Sequence, residues 1–268
     1  MSHDLQGHTA RKRFGQNFLH DENIIRRIVQ MFAPVPGEQV VEIGPGLGAL
    51  TRHLLSFLGE MHVVELDRDL AARLPVTFAG QGTLHIHQAD ALDFDFATLA
   101  KPEEPLRIIG NLPYNISTPL IFHLLTFSNR VRDMCFMLQK EVVDRLAAEP
   151  GTPDYGRLGV MVQYRCRVDW LLAVPPGAFN PPPKVQSAVV RLTPHAALPW
   201  PCDNEPLLAQ VVAAAFNQRR KTLRNALKAL ATDEDFAAVG IDPGLRGEVL
   251  SVEQYVRLTN RLNSHVPS

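Results

Sequence analysis

Two groups of residues have types and spacing suited to holding a nucleoside. In the first, the apolar run Val40-Val41-Glu42-Ile43 leads into Gly44-Pro45-Gly46-Leu47-Gly48. Glycines in such a strand-to-helix turn let the backbone approach a ligand closely and aim its amides into the crevice at the carboxyl edge of a sheet. Gly44, Gly46 and Ala49 also satisfy the dinucleotide fingerprint, so at this point a nicotinamide or flavin enzyme competes with other nucleoside binders. The second group is a pair of carboxylates at later strand ends. Glu65 closes Val63-Val64-Glu65, where an acceptor pair can take two ribose hydroxyls, and Asp90 closes Gln88-Ala89-Asp90, where an acceptor can bind an adenine amino group. A nicotinamide enzyme needs the first carboxylate but has no regular need for the second. S-adenosylmethionine, which lacks a pyrophosphate, is held largely through side-chain contacts of this kind. Taken singly, each carboxylate also reads as a helix N-terminal residue favouring the dipole; the ordered set points to S-adenosylmethionine.

A third group, Asn111-Leu112-Pro113-Tyr114, follows the run Leu106 to Gly110. An exocyclic adenine amine is a poor nucleophile because its lone pair is conjugated with the ring. Acceptors on its two N–H groups favour the pyramidal geometry needed for in-line attack on a sulfonium methyl. Here those acceptors are the Asn111 side-chain oxygen and a backbone carbonyl at Leu112 or Pro113, fixed by the proline. No general base is needed before attack, since the alkylated amine becomes acidic and loses its proton afterwards. Tyr114 offers a flat face on which an extruded base can stack and which favours the positive charge that spreads onto it. Phe179, read as exposed in a proline-rich loop, is the candidate for the other face. The plain alternative is that Asn-x-Pro is a strand-terminating turn and that the two aromatics pack the fold.

Strands must carry these groups at their carboxyl ends. Strand-like runs at Gln39–Ile43, Met61–Leu66, Leu84–Gln88, Leu106–Leu112 and Arg132–Leu138 alternate with helical segments, the pattern of an α/β fold with a parallel Rossmann-like sheet covered by helices on both faces. Val168–Val174 and Gln186–Leu192 leave no room for an intervening helix and predict an antiparallel hairpin at the sheet edge, joined by a stiff, exposed loop, 175–184. After Leu198-Pro199-Trp200-Pro201 only helical periodicity remains, at Leu207–Phe216 and Val252–Leu262. The expected organisation is a catalytic domain over 1–198 and a small all-helical domain over 199–268.

Charge and composition narrow the class further. A chain of 268 residues that is 46% hydrophobic can fold alone, and no apolar leader or membrane-spanning run is seen, so a soluble cytoplasmic protein is expected. The net charge of −1 argues against a generally polycationic binder. The distribution is nonetheless uneven: Arg219, Arg220, Lys221, Arg224 and Lys228 fall between Val211 and Leu230 with no acid among them, and Arg11-Lys12-Arg13 precedes Phe14. Cys135, Cys166 and Cys202 have no CxxC spacing, so reduced thiols are expected. His85 and His87 share one strand face; a solvated face is favoured there over a metal pair, and no metal is expected. A monomer is expected, since no large unexplained apolar stripe is visible.

The chain closely resembles the bacterial small-subunit ribosomal RNA adenine dimethyltransferases, the kasugamycin-resistance enzymes. These are related to the erythromycin-resistance methyltransferases and the eukaryotic dimethyladenosine transferases. The resemblance is carried by Arg11-Lys12-Arg13-Phe14-Gly15-Gln16-Asn17-Phe18-Leu19, Glu42 to Gly48, Glu65-Leu66-Asp67, Asn111 to Ser117, Gln139-Lys140-Glu141-Val142, Phe179 to Val185 with Ser187-Ala188-Val189, and Phe216 to Thr222. It implies methyl transfer to two adjacent adenines near the 3′ end of 16S rRNA, within an immature small ribosomal subunit. It also implies cofactor contacts at Asn17, Leu19, Gly44, Glu65, Asp90 and Asn111, and a helical domain that helps dock the ribosome. RNA contacts are expected at Arg11, Lys12, Arg13, Lys140, Arg219, Arg220, Lys221 and Arg224. Three other readings compete. A DNA adenine methyltransferase is disfavoured by Leu112, where those enzymes commonly have proline, and by the lack of a target-recognition insert. A nicotinamide oxidoreductase is disfavoured by Asp90 with Asn111 to Tyr114. An assembly checkpoint factor would bind the subunit without turnover.

Overall fold

The computed structural model describes residues 16–101 and 103–265. In chain order its elements are β1 (Phe18–Leu19), α1 (Glu22–Phe32), β2 (Val40–Ile43), α2 (Ala49–Leu58), β3 (Glu60–Glu65), α3 (Arg68–Thr77), β4 (Thr83–Gln88), β5 (Leu106–Asn111), α4 (Ser117–Leu125) and β6 (Val131–Gln139). There follow α5 (Lys140–Ala147), α6 (Arg157–Arg165), β7 (Cys166–Val174), β8 (Phe179–Asn180), β9 (Ser187–Pro194), α7 (Glu205–Asn217), α8 (Leu223–Ala226), α9 (Asp233–Ala238) and α10 (Val252–Asn263).

The described residues within Met1–Val143 and Asp169–Pro194 form one compact unit around a sheet of order β4-β3-β2-β5-β6-β9-β7. From β4 to β6 the neighbours are parallel, and β9 returns antiparallel beside β6. The strand order reverses between β2 and β5, and ligands of open α/β sheets bind in the crevice at such a point. Burial on both faces explains the composition of the central strands: all four residues of β2 are buried, as are the first five of β5. On α1, Ile25, Ile28 and Phe32 recur at helical spacing and are buried, and Asp21 caps the helix by accepting from the Asn23 and Ile24 amides. These side chains share a core with Leu54 and Leu55 of α2 and Val63 of β3, each worth roughly 1.5–3 kcal/mol of burial.

At the amino end of β5, Arg107 is buried and forks onto both Asp133 oxygens at 2.7 and 2.9 Å, while also reaching Glu38 at 2.8 Å and the Phe32 and Ala33 carbonyls. This ion cluster pins α1 to the sheet at the end opposite the glycine turn.

The loop between β7 and β9 is not the exposed segment that its prolines suggest. Ala178 and Phe179 are buried, and β8 pairs antiparallel with β1, Leu19 facing Phe179. An apolar pair flanked by prolines has found the core beside α1.

The second compact unit takes Asp144–Val168 as well as the described residues of His195–Ser268, so relative to a single cut at residue 198 two segments, Asp144–Val168 and 195–198, fall on the other side. The reason is packing: Tyr155, Val160 and Tyr164 share a core with Leu208 and Val211 of α7 and Tyr255 and Leu258 of α10. The Tyr155 hydroxyl donates to the Leu250 carbonyl at 2.9 Å. Capping boxes, Thr232 with Asp235 and Ser251 with Gln254, start α9 and α10. Among the described residues no helix is long and apolar enough to cross a membrane.

Candidate active site

Register brings the candidate residues level. Ile43 stands opposite Val64 of β3 and Gly110 of β5, so Gly44, Glu65 and Asn111 all emerge at one edge. Asp90 follows two residues beyond Gln88, the partner of Glu65. All four line a cavity of about 170 Å³, together with Asn17, Leu19 and Gly46. Gly46 sits at φ 58° with its missing Cβ only 3.1 Å from the Phe18 ring, and there a side chain would be both strained and crowded.

Glu65 is buried, and its two oxygens accept from the Asp67 amide at 2.9 Å and the Gly46 amide at 3.2 Å. It thereby holds the glycine turn while each oxygen keeps a lone pair for the cavity. Burial pushes its carboxyl above the usual range, opposed by those two amides. Beneath the turn, Glu42 is buried at the end of β2 and accepts from Thr51 Oγ1 at 2.6 Å. Burial raises its pKa to about 8, the Thr51 bond opposing and Glu65 adding to the rise. Asp90 uses Oδ1 to accept from the Leu92 amide at 2.9 Å.

The segment from Gln16 to Leu19 straps the cavity. Gln16 Nε2 donates to Asp67 Oδ2 at 3.1 Å, and the Asn17 carbonyl accepts from Asn111 Nδ2 at 2.9 Å. That second bond fixes which end of the Asn111 amide is nitrogen and leaves Oδ1 as an acceptor. Leu112, Pro113 and Tyr114 also line the cavity. The Pro113 carbonyl already accepts from the Ile116 amide at 3.2 Å, whereas the Leu112 carbonyl has no backbone donor among the described residues. The half-buried Tyr114 places its hydroxyl 2.6 Å from Ser187 Oγ. Burial holds the phenol above its ordinary pKa, the Ser187 bond opposing.

Other candidates lie elsewhere. Gly48, at φ 83°, is off the cavity wall; a Cβ there would fall 2.4 Å from the Phe78 ring, so it is a packing glycine that opens α2. Phe179 is only 2% exposed and absent from the cavity wall; its ring belongs to the core, which corrects the exposed position read from its prolines. Lys140 starts α5 directly after β6 and is off the wall.

In the second unit, Arg219, Arg220, Lys221 and Arg224 are all exposed. The fold brings acids to two of them: Arg219 pairs with Glu248 at 3.1 Å and also bonds the Pro153 carbonyl, and Arg224 pairs with Asp233 at 2.8 Å. Arg11, Lys12 and Arg13 lie outside the described residues. His85 and His87 are joined by His62, whose Nδ1 is 3.0 Å from His87 Nε2, and His85 contacts Glu60 at 2.7 Å. Burial depresses His62 to about 4.

Gln16, Glu42, Asp67 and Ser187 stand in the sequence only within the blocks that carry the family resemblance, with no role of their own. A carboxylate inside an otherwise apolar strand was a further signal for Glu42, and Asp before Arg68-Asp69 an N-cap signal for Asp67; the Ser187 hydroxyl has no spacing relation to Tyr114 that would reveal their contact.

A doubly wound sheet whose switch point presents a glycine turn, two strand-end carboxylates and Asn-Leu-Pro-Tyr defines the methyltransferase class, with a donor of the S-adenosylmethionine type. The chain belongs to the ribosomal RNA adenine dimethylase family, whose profile matches residues 7–264. Relatives named "Ribosomal RNA small subunit methyltransferase A" include one from Aromatoleum aromaticum, 62% identical over 98% of both chains. Another, from Laribacter hongkongensis, is 60% identical over 96% of this chain and 97% of its own. Among solved structures, the 23S rRNA methyltransferase ErmE aligns with a TM-score of 0.71 at 26% identity, covering 92% of this chain and all of that one (100%). A dimethyladenosine transferase from Plasmodium falciparum has the same fold, with a TM-score of 0.78 at 24% identity over 90% of this chain and 95% of its own.

Proposed function

We propose that this protein transfers methyl groups from S-adenosylmethionine to the exocyclic amines of two adjacent adenosines near the 3′ end of 16S rRNA, acting on an immature small ribosomal subunit in the cytoplasm as a monomer. The observation that carries the reading is the Asn17 carbonyl on Asn111 Nδ2, which leaves Oδ1 of this cavity-lining residue as an acceptor; the carbonyl of Leu112, which also lines the cavity, is the second acceptor of the proposed pair. The residues present fit the cofactor. Glu65 keeps acceptor capacity for a pair of ribose hydroxyls, Asp90 for an adenine amino group, and the exposed apolar Leu66 next to Glu65 offers a surface for a purine. When bound, S-adenosylmethionine supplies an electrophilic methyl on a sulfonium.

The chain's own residues do the rest. Asn111 Oδ1 and the Leu112 carbonyl each accept one N–H of the target amine and turn its lone pair out of conjugation. As the N–C bond forms at the expense of the methyl–sulfur bond, whose electron pair would stay on sulfur as a neutral thioether, positive charge spreads over the base, and the Tyr114 face favours it. The proton then leaves the alkylated nitrogen to solvent, so turnover does not require a His or Lys among the described residues at the cavity, where none stands. Docking of the subunit falls to basic residues of the second unit, with Arg220 and Lys221 the least neutralised by neighbours.

Asn111→Ala tests the reading. Removing one transition-state hydrogen bond lowers a rate by about 100- to 1000-fold. Single-turnover transfer to undermethylated small subunits at saturating cofactor is expected to fall by at least that much while subunit binding persists. Near-normal transfer by the folded variant would reduce Asn111 to a turn residue.

A further inference from the structure

Ser187 is off the cavity wall and has no part in the methyl-transfer reading above, yet its side chain is fully buried with Oγ 2.6 Å from the Tyr114 hydroxyl. One end of this bond is fixed by the sheet. Ser187 opens β9 and pairs with Gln139, the last residue of β6. The other end is not, because Tyr114 belongs to the turn between β5 and α4, where its ring turns about two side-chain torsions. A loop-borne aromatic makes a good stacking wall only if its plane is held, since a base that must also order the ring loses part of the free energy of stacking.

We infer that Ser187 is a positioning residue, whose hydroxyl tethers the Tyr114 ring as a pre-set wall for the target base. The inference rests on the reading of Tyr114 as the stacking face. The hydroxyl pair gives β9, an antiparallel strand that contributes nothing directly to the cavity, a role in the reaction: it anchors the aromatic across 73 residues of chain. In the sheet order β9 lies beyond β5 from the strands β3 and β4 that carry Glu65 and Asp90, so cofactor binding by those carboxylates is expected not to depend on it.

The test compares Ser187→Ala, Tyr114→Phe, the double variant and Tyr114→Ala. Readouts are single-turnover methyl transfer to undermethylated small subunits at saturating S-adenosylmethionine, and cofactor affinity by calorimetry. Ser187→Ala and Tyr114→Phe break the same bond from opposite ends, so each is expected to slow transfer about five-fold, the rate equivalent of one ordinary hydrogen bond. The double variant is expected to be no slower than either, with cofactor affinity unchanged in Ser187→Ala, whose site is off the cavity wall. Losses that multiply in the double variant, or a parallel fall in the cofactor affinity of Ser187→Ala, would overturn the tether. Full rates in both single variants beside a slow Tyr114→Ala would also overturn it while leaving the stacking reading intact. A full rate in Tyr114→Ala withdraws the stacking reading itself. If Ser187→Ala does not fold, Tyr114→Phe, altered at the half-buried end, decides alone.

Discussion

Glu42→Gln is expected to make the protein more stable as the pH rises. Glu42 is buried beneath the glycine turn with Thr51 Oγ1 donating to it at 2.6 Å, and burial lifts its pKa from 4.5 to about 8. A carboxyl raised on folding adds nothing unfavourable below about pH 4.5, where it is protonated in both states. Between that value and the folded value near 8 stability is lost progressively, because the unfolded chain ionises while the folded one keeps its proton, and above about 8, where both are ionised, the loss levels off. Each pH unit across that window costs about 1.4 kcal/mol, so between pH 5 and pH 8 the wild type should lose on the order of 3–4 kcal/mol that the glutamine variant keeps. Glutamine preserves the acceptor for Thr51 and is nearly isosteric, so the difference between the two proteins isolates the proton. Urea unfolding at pH 5, 6, 7 and 8 measures it, the slope of the difference against pH being the readout. Parallel stability curves would show that Glu42 titrates normally and that its burial is not the controlling influence. A difference growing in the opposite sense would require a cation near Glu42.

Arg107→Ala should destabilise the protein by about 3–5 kcal/mol in chemical denaturation, because Asp133 is left buried with its bidentate partner gone. Cofactor affinity of the folded fraction, read by calorimetry, should stay unchanged, since the cluster stands at the opposite end of the sheet. Charge-neutral substitution of Arg220 or Lys221 should each reduce the salt slope of subunit binding by about one unit. The same change at Arg219 or Arg224 should reduce it less, as Glu248 and Asp233 already neutralise them; equal slopes for all four would remove the distinction. Gly48→Ala should lower the melting temperature, since its Cβ would meet Phe78 at 2.4 Å in a left-handed backbone.

The middle of the sheet is legible in the sequence because its strands are buried on both faces and read as largely apolar runs: the predicted Gln39–Ile43 covers the observed Val40–Ile43, and Arg132–Leu138 falls inside Val131–Gln139, whereas the half-exposed edge strand Thr83–Gln88, with histidines around Ile86, is legible from its place in the alternation of strands and helices. What misled was context. Residues 157–165 lie between two strands, the place of a crossover helix in an alternating α/β pattern, so their helical periodicity gave no reason to detach them from the sheet. Only the core shared by Val160 and Tyr164 with α7 and α10 assigns them to the second unit. Phe179 failed for a related reason: prolines predict a stiff loop but say nothing of whether a strand, here β1, is waiting to pair with it.

The candidate site divides along the same line. Strand ends are set by local pattern, and the residues placed there by spacing, Gly44, Glu65, Asp90 and Asn111, meet at one cavity. The contacts that give those side chains direction are long-range. The Asn17 carbonyl that orients the Asn111 amide is 94 residues away, and Ser187 is 73 residues from the Tyr114 it holds. Neither bond has a local signature, because each depends on how separate segments come together at the carboxyl edge: the strap crossing from β1, and the return of β9 beside β6. The difference has a chemical consequence. An asparagine at a strand end offers an amide of either sense, as donor or as acceptor, and only the acceptor sense activates an amine. Sequence placed the asparagine; the strap makes it an acceptor.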